Sequence, residues 1–255
     1  YQKLRGQGES FLFESVEGGE HLGRYSFVGC GPRSVIRQIG DRVEILEHGR
    51  VIETYRVSPT PGQPGEKVVR DGLQVVEAVL SGFVPVPVPG MPRFTGGAVG
   101  FLGYEFIHDV EPVVPRPAKD ELGTPTLYFL IADQVLVFDR VAQTLTVIVH
   151  AVVPPGGDPD VAHEDAVSEI DRLVALLEQP LPSRPVTLET QVPDAPFVSN
   201  TPREQFLANV VRSKEFIRSG DIIQIVGSQR FSAPVKASPM EIYRAVRSIN
   251  PSPYM

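Results

Sequence analysis

Cysteine is nearly missing from this 255-residue chain: Cys30 stands alone. A single thiol can form neither an internal disulfide nor a two-cysteine metal knuckle, so the expected role is a small buried residue in a reducing compartment. Long apolar runs are missing too. No stretch approaches the roughly 20 residues that span a bilayer, and the first residues lack the charged, apolar and small-residue order of a signal peptide. Membrane insertion is therefore not expected, and a cytoplasmic location is. Positive charge is short: 24 Lys and Arg against 31 Asp and Glu leave a net charge of −7, which argues against nucleic acid as a general partner. The five histidines, at 21, 48, 108, 150 and 163, are dispersed with no second His at ligand spacing, which disfavours zinc. Gly227-Ser228 lacks the second glycine of a G-x-S-x-G elbow, so serine-hydrolase chemistry has no support. No repeat of fixed period is visible, which excludes solenoids and propellers.

What remains is an ordinary globular composition, 42% hydrophobic and 22% charged, enough for one large or two modest domains. The 23 glycines and 25 prolines are scattered between apolar runs, as in a strand-and-turn-rich fold. Charge is uneven. Residues 201–255 hold 8 Lys and Arg against 4 Asp and Glu, so the last quarter is the part best suited to anionic ligands, unless the surplus is only solvated helix surface.

Five short runs between Phe11 and Arg56 (FLFESV, RYSFVG, SVIRQI, DRVEILE, RVIETYR) are separated by turn residues and predict an antiparallel meander. In the fourth, Val43 and Ile45 alternate with charge, predicting one wet face. Leu73, Val76 and Leu80 predict a short helix ended by Gly82. VPVPVPGMP follows as a surface connector, because proline lacks the donor a sheet interior needs. Gly96, Gly97, Gly100 and Gly103 then imply close backbone packing; their spacing fits neither G-x-x-x-x-G-K-[ST] nor G-x-G-x-x-G, so a nucleotide loop is not expected. Residues 126–153 predict three buried strands, the last two returning across Asp139-Arg140 and Gln143. Ala166, Ile170, Leu173, Val174 and Leu177 predict an amphipathic helix over 160–178.

Five prolines between Pro180 and Asn200 mark a linker and the domain boundary. Residues 1–180 thus form an N-terminal domain, 181–200 the linker and 201–255 the start of a second, incomplete domain. There Thr201-Pro202-Arg203-Glu204 reads as a capping box, with Phe206, Val210 and Ile217 on the apolar face and Gly220 as the stop. A strand, DIIQIVGSQRF, and a second capped helix from Ser238-Pro239-Met240-Glu241, burying Ile242, Val246 and Tyr243, complete the pattern. The chain opens on Tyr1 and closes on Met255 without a final helix, and is expected to be a fragment truncated on its C-terminal side.

SFLFESVEGGEHLGRYSFVG (10–29) resembles the tryptophan-binding motif of anthranilate synthase large subunits. FTGGAVGFLGYEF (94–106), RSGDIIQIVGSQRF (218–231) and INPSPYM (249–255) resemble later blocks of that family in the same order. The resemblance implies an α+β fold, a four-layer α/β/β/α arrangement with largely antiparallel sheets. It implies an enzyme that adds ammonia, released from glutamine by a glutamine amidotransferase subunit (component II), to Mg2+-bound chorismate. Loss of water and pyruvate then yields anthranilate for tryptophan biosynthesis. Catalytic and Mg2+-binding residues are expected beyond Met255, with none in this chain. Feedback inhibition by tryptophan is implied, in a pocket made by Glu14 and Ser15 with Asn250, Pro251, Ser252, Pro253, Tyr254 and Met255. A zwitterionic amino acid needs acceptors for its ammonium and an apolar slot for its ring, which Tyr254 and Met255 could wall.

Strand parity puts Ser15 with Phe11 and Phe13 and turns Glu14 the other way, so shared contact with one ligand requires a strand end or a bulge. The family usually has leucine where Phe13 stands, a change that alters the pocket's size. Related water-using synthases carry a lysine base where Gln224 stands; a neutral glutamine cannot act as that base and favours ammonia as nucleophile. Without the resemblance, Ser15 is a turn hydroxyl, Glu14 a solvated carboxylate and Gln224 a hydrogen-bonded strand residue. Alternative functions are the large subunit of aminodeoxychorismate synthase, in the folate pathway, and a non-catalytic tryptophan-sensing module.

Overall fold

In a computed structural model, residues 1–6, 8–15, 23–111, 113–116, 119–181 and 196–255 are described. Residues 16–22 of the first family-like block and residues 182–195 of the expected linker lie outside them. The chain divides into two compact units, residues 1–182 with 250–255, and residues 183–249. Asn250–Met255, which follow the second helix of the expected second domain in sequence, group with the first unit.

The first unit holds strands β1 (Ser10–Glu14), β2 (Tyr25–Cys30), β3 (Ser34–Ile39), β4 (Arg42–Glu47), β5 (Arg50–Val57) and β6 (Val68–Val69), then helix α1 (Gly72–Ser81) and strand β7 (Gly97–Leu102). A short helix α2 (Ile107–Val110), strands β8 (Leu127–Ala132), β9 (Gln134–Asp139) and β10 (Thr144–Val149) and the long helix α3 (Pro159–Glu178) follow. The strands make two sheets, one of order β6-β5-β4-β3-β8-β7 and one of order β1-β2-β9-β10. Every pairing is antiparallel except β5 with β6.

All five strands expected between Phe11 and Arg56 form, but they are not one meander. The chain changes sheets between β2 and β3, where Gly31 takes φ +54°, and again between β8 and β9 at Asp133. The two crossings are tied together: Arg33 donates its N–H to Ile131 O at 2.9 Å and pairs with Asp133 at 2.9 Å. The meander expectation fails because turn residues between consecutive strands signal a reversal equally well whether or not the strands hydrogen-bond.

Helix α1, capped by the Asp71 carboxylate on Gln74 N–H at 3.1 Å, packs Val75 and Val76 on Ile36, Val43, Ile45, Leu127 and Ile131 of the six-stranded sheet. Helix α3 packs Leu173 against Val28, Cys30 and Leu136 of the four-stranded sheet. The other face of that sheet carries Phe27, Val135 and Val137 with Phe11, Phe13 and Phe94. This is the α/β/β/α layering, and Cys30 is buried as expected.

The wet face read into β4 is not wet. Glu44 is buried, held by Arg37 and Arg42 at 2.8 Å each; the two guanidiniums supply the compensation a buried carboxylate needs. In and just before β7 the glycines answer to sterics: a Cβ on Gly100 would overlap the Tyr128 carbonyl, and one on Gly96 would lie 2.7 Å from Ala132 O.

The second unit holds strand β11 (Val198–Ser199), helix α4 (Arg203–Ser219), strand β12 (Phe231–Ser232) and helix α5 (Pro239–Ile249). Gly220 ends α4 at φ +84° as expected. Three expectations fail here. Thr201 makes no capping box, because its hydroxyl donates to Asn200 Oδ1 at 3.1 Å and its N–H to Ser199 Oγ at 3.0 Å. The strand over 221–231 reduces to β12, since no described strand pairs with the preceding residues and an apolar run without ladder partners gains nothing from extension. Ile242, Val246 and Tyr243 are not buried, and neither α4 nor α5 has a buried residue. The capping box of α5 does form: Ser238 N–H and Oγ both reach Glu241 Oε2 at 2.7 Å. Among the described residues no helix is long and apolar enough to cross a membrane.

Candidate functional site

Strand β1 is an edge strand. Its register with β2 sets Phe13 against Phe27 and Glu14 against Ser26, and directly opposed residues share a face. Phe11, Phe13, Tyr25 and Phe27 therefore line one side and Leu12, Val28 and Phe138 the other, as the two clusters show. The strand ends at Glu14. Ser15, the next residue, is fully buried.

The outer edge of β1 meets the last residue of the chain. Glu14 donates its N–H to Met255 O at 2.8 Å, and Met255 donates its N–H to Glu14 O at 2.9 Å. This reciprocal pair is one rung of an antiparallel ladder. It fixes the neighbouring Tyr254, which takes φ +52°, a left-handed conformation unfavourable for a bulky residue unless its surroundings hold it. The Tyr254 ring rests against Phe27, with centroids 6.1 Å apart and planes at 35°. Phe27 in turn meets Phe94 edge-on at 5.4 Å and 89°. Aromatic rings from β2, the segment leading into β7 and the chain's last residues thus meet beside the end of β1, in the offset and edge arrangements their quadrupoles favour.

Of the residues singled out from sequence, Glu14, Tyr254 and Met255 are joined directly, and Ser15 follows Glu14 at the strand end. Pro251 is half-buried, while Asn250, Ser252 and Pro253 are exposed on the approach to Tyr254. The Glu14 side chain turns to the Ser26 side, opposite the aromatic face, where its carboxylate lies 3.9 Å from Arg140. Strand parity predicts that divergence, and β1 ends at Glu14. Gln224 belongs to the second unit, exposed on the irregular segment before β12.

Sequence reasoning missed the charges at this end of the sheet. Arg24 grips Asp139 through Nε at 2.9 and 3.0 Å and Nη2 at 2.6 Å. Asp139 also accepts the N–H groups of Val141 and Ala142 at 3.0 and 3.1 Å. The Arg24 hydrogen bond, followed by those backbone donors, lowers the Asp139 carboxyl to about 2. Arg140 donates its own N–H to Arg24 O at 2.9 Å and its Nη2 to Ser26 Oγ at 3.3 Å. Asp139-Arg140 reads from sequence only as a turn; the register of β2 on β9, which brings Tyr25 opposite Asp139, is what converts it into part of a charged cluster. Mg2+, implied by the resemblance, finds no fitting seat here. Among the described residues no three His, Cys, Asp or Glu side chains converge, and the two carboxylates at this end each face a guanidinium.

The family model described as chorismate binding enzyme matches residues 18–255. Anthranilate synthase component 1 of Pseudomonas putida is 38% identical over 260 residues, covering 100% of this chain and 49% of its own length. The protein of that name from Synechocystis is 36% identical, with 100% and 49% covered. The crystal structure of anthranilate synthase component I from Streptococcus pneumoniae TIGR4 superposes with a TM-score of 0.69 at 26% identity, covering 99% of this chain and 50% of that one. The chain spans about half the length of the curated relatives it matches.

Proposed function

Because this chain belongs to the chorismate binding enzyme family, we propose that it is the N-terminal half of an anthranilate synthase large subunit, converting chorismate and ammonia to anthranilate and pyruvate in tryptophan biosynthesis. The observation that carries this is similarity along the whole chain to proteins named for that activity, 38% in the first case. In this reading residues 1–180 form the N-terminal domain, 181–200 a linker and 201–255 the opening of the chorismate-binding domain. The enzyme works in the cytoplasm with a glutamine amidotransferase partner, component II, and with Mg2+ held by residues outside this chain. Gln224 lines the active site, where its neutral amide suits ammonia rather than water as nucleophile.

Tryptophan, the feedback inhibitor, binds where β1 ends. What supports this is the two-bond rung between Glu14 and Met255 beside the Phe27–Tyr254 ring contact. Aromatic rings gathered beside a strand end that also carries charged groups suit a ligand that is apolar at one end and zwitterionic at the other.

The test uses the polypeptide of full family length, assayed by anthranilate formation from chorismate and ammonium. Turnover is expected there and none from the 255-residue chain; no turnover from either sinks the enzymatic reading. In Ser15→Phe the tryptophan concentration for half inhibition, referred to the variant's own uninhibited rate, is expected to rise at least about tenfold, because a ring must fit where a buried hydroxyl sits. Ser15→Ala serves as the milder variant. Unchanged inhibition in both removes Ser15 from the site.

A further inference from the structure

The segment Val84-Pro85-Val86-Pro87-Val88 runs between two fixed points. One is Gly82, which closes α1; the other is the turn in which Met91 donates its N–H to Val88 O at 3.4 Å and Gly90 takes φ +82°. Every residue of the segment is exposed, with Val84 at 90%, Val86 at 83% and Val88 at 56%. Among the described residues no hydrogen bond uses the N–H of any of these valines, and no strand pairs with them.

The conformation is nonetheless narrow. Each proline fixes its own φ, and each valine is kept extended by the ring that follows it and by its own branched Cβ. In a strand, alternate residues turn their N–H and C=O to the same edge. Proline at every second position therefore strips one edge of donors and gathers them all, from Val84, Val86 and Val88, on the other. Such a strand pairs on one side only.

Its own order says what suits that side, because Val-Pro-Val-Pro-Val reads the same in both directions. Laid antiparallel on a second copy with Val86 against Val86, it sets Val84 of each copy against Val88 of the other. Every valine pair is then of the hydrogen-bonded kind, in which both residues exchange N–H···O bonds, and the prolines fall where no donor is needed. A two-fold axis through Val86 relates the copies, the self-complementary arrangement typical of homodimers, and valine packs on valine across the strands. We propose that Val84–Val88 is the edge through which two copies of this chain associate, as an antiparallel pairing centred on Val86. So short a ladder buries less than the roughly 1,600 Å² of a standard interface, so the association is weak and follows concentration. The stiffness of the segment favours it, because little freedom is lost on pairing.

The experiment uses the polypeptide of full family length. Sedimentation velocity over a rising concentration series is expected to show monomer passing to dimer. Val86→Pro removes the central donor of each copy and leaves the segment extended and the core untouched, and the midpoint concentration is expected to rise at least about tenfold, as for lost hydrogen bonds. A second readout fixes the register. Residues of a hydrogen-bonded pair stand about 5.5 Å apart at Cα, within disulfide reach. On mild oxidation, Val86→Cys is expected to link to itself, whereas Val84→Cys and Val88→Cys link to each other in a mixture and poorly to themselves, each read against the unsubstituted protein. An unmoved midpoint in Val86→Pro, or equal self-linking at the three positions, overturns the proposal. Monomer at every concentration overturns it too, and capture of that monomer by an aromatic-grooved domain that reads polyproline would give the segment to that class of partner instead.

Discussion

Leu136 in the first unit and Ile223 in the second carry side chains of equal size and apolarity, yet Leu136 is fully buried and Ile223 is 98% exposed. The contrast runs through both units. Residues 1–182 with 250–255 assemble three apolar clusters from two sheets and two helices, whereas α4 and α5 present Phe206, Val210, Ile242 and Val246 without burying any of them. Both regions show the same helical and strand periodicities. Periodicity therefore states which face a segment can bury, and says nothing about whether a surface exists to bury it against.

Paired substitutions in the 255-residue chain test this difference. Leu136→Ala should lower the free energy of unfolding by about 2–5 kcal/mol, the cost of a cavity in a packed core, while Ile223→Ala should stay within about 0.5 kcal/mol, as for surface changes. Urea unfolding measures both, and equal losses would break the comparison by showing that Ile223 is covered. Glycines offer a second pair. Gly100→Ala forces a Cβ into the Tyr128 carbonyl and should cost about 1–3 kcal/mol or more, because backbone cannot step aside as a side chain can. Gly227, with open space around it and no positive φ, should accept alanine at a cost under about 0.5 kcal/mol. The smallest effect separates two helix starts within the second unit. Ser238→Ala removes the hydroxyl of a formed capping box and should cost about 1 kcal/mol of local helix stability. Thr201→Ala removes no cap, so far-ultraviolet circular dichroism on heating should hardly change.

Legibility followed the range of the interactions. The helix over 159–178 was readable because Ala166 and Leu173, both buried, recur at helical spacing. The glycine-rich strand was readable as a place of close backbone approach, though not which carbonyl approached. The split of five consecutive strands between two sheets was not readable, because Gly31 and Asp133 look like any other turn residues until the strands pair. At the candidate site, Ser15 and the Asn250–Met255 segment came from the family pattern, whereas Arg140 came only from register. Its partner Glu14 is 126 residues away in the chain, and neither residue type in a turn or at a strand end signals the other.

The amino-acid sequence alone determined the local elements of this protein: where apolar period changes from two to nearly four, where Ser238 and Glu241 start a helix, where Gly220 stops one. These depend on contacts a few residues apart and are written in adjacent letters. Only the tertiary structure decided that the edge of β1 receives Met255, that Tyr254 lies on Phe27, and that two ion pairs of unequal tightness meet at one end of a sheet. Such outcomes depend on strands choosing partners far along the chain, and that choice is made by the summed burial of whole faces rather than by any residue in them.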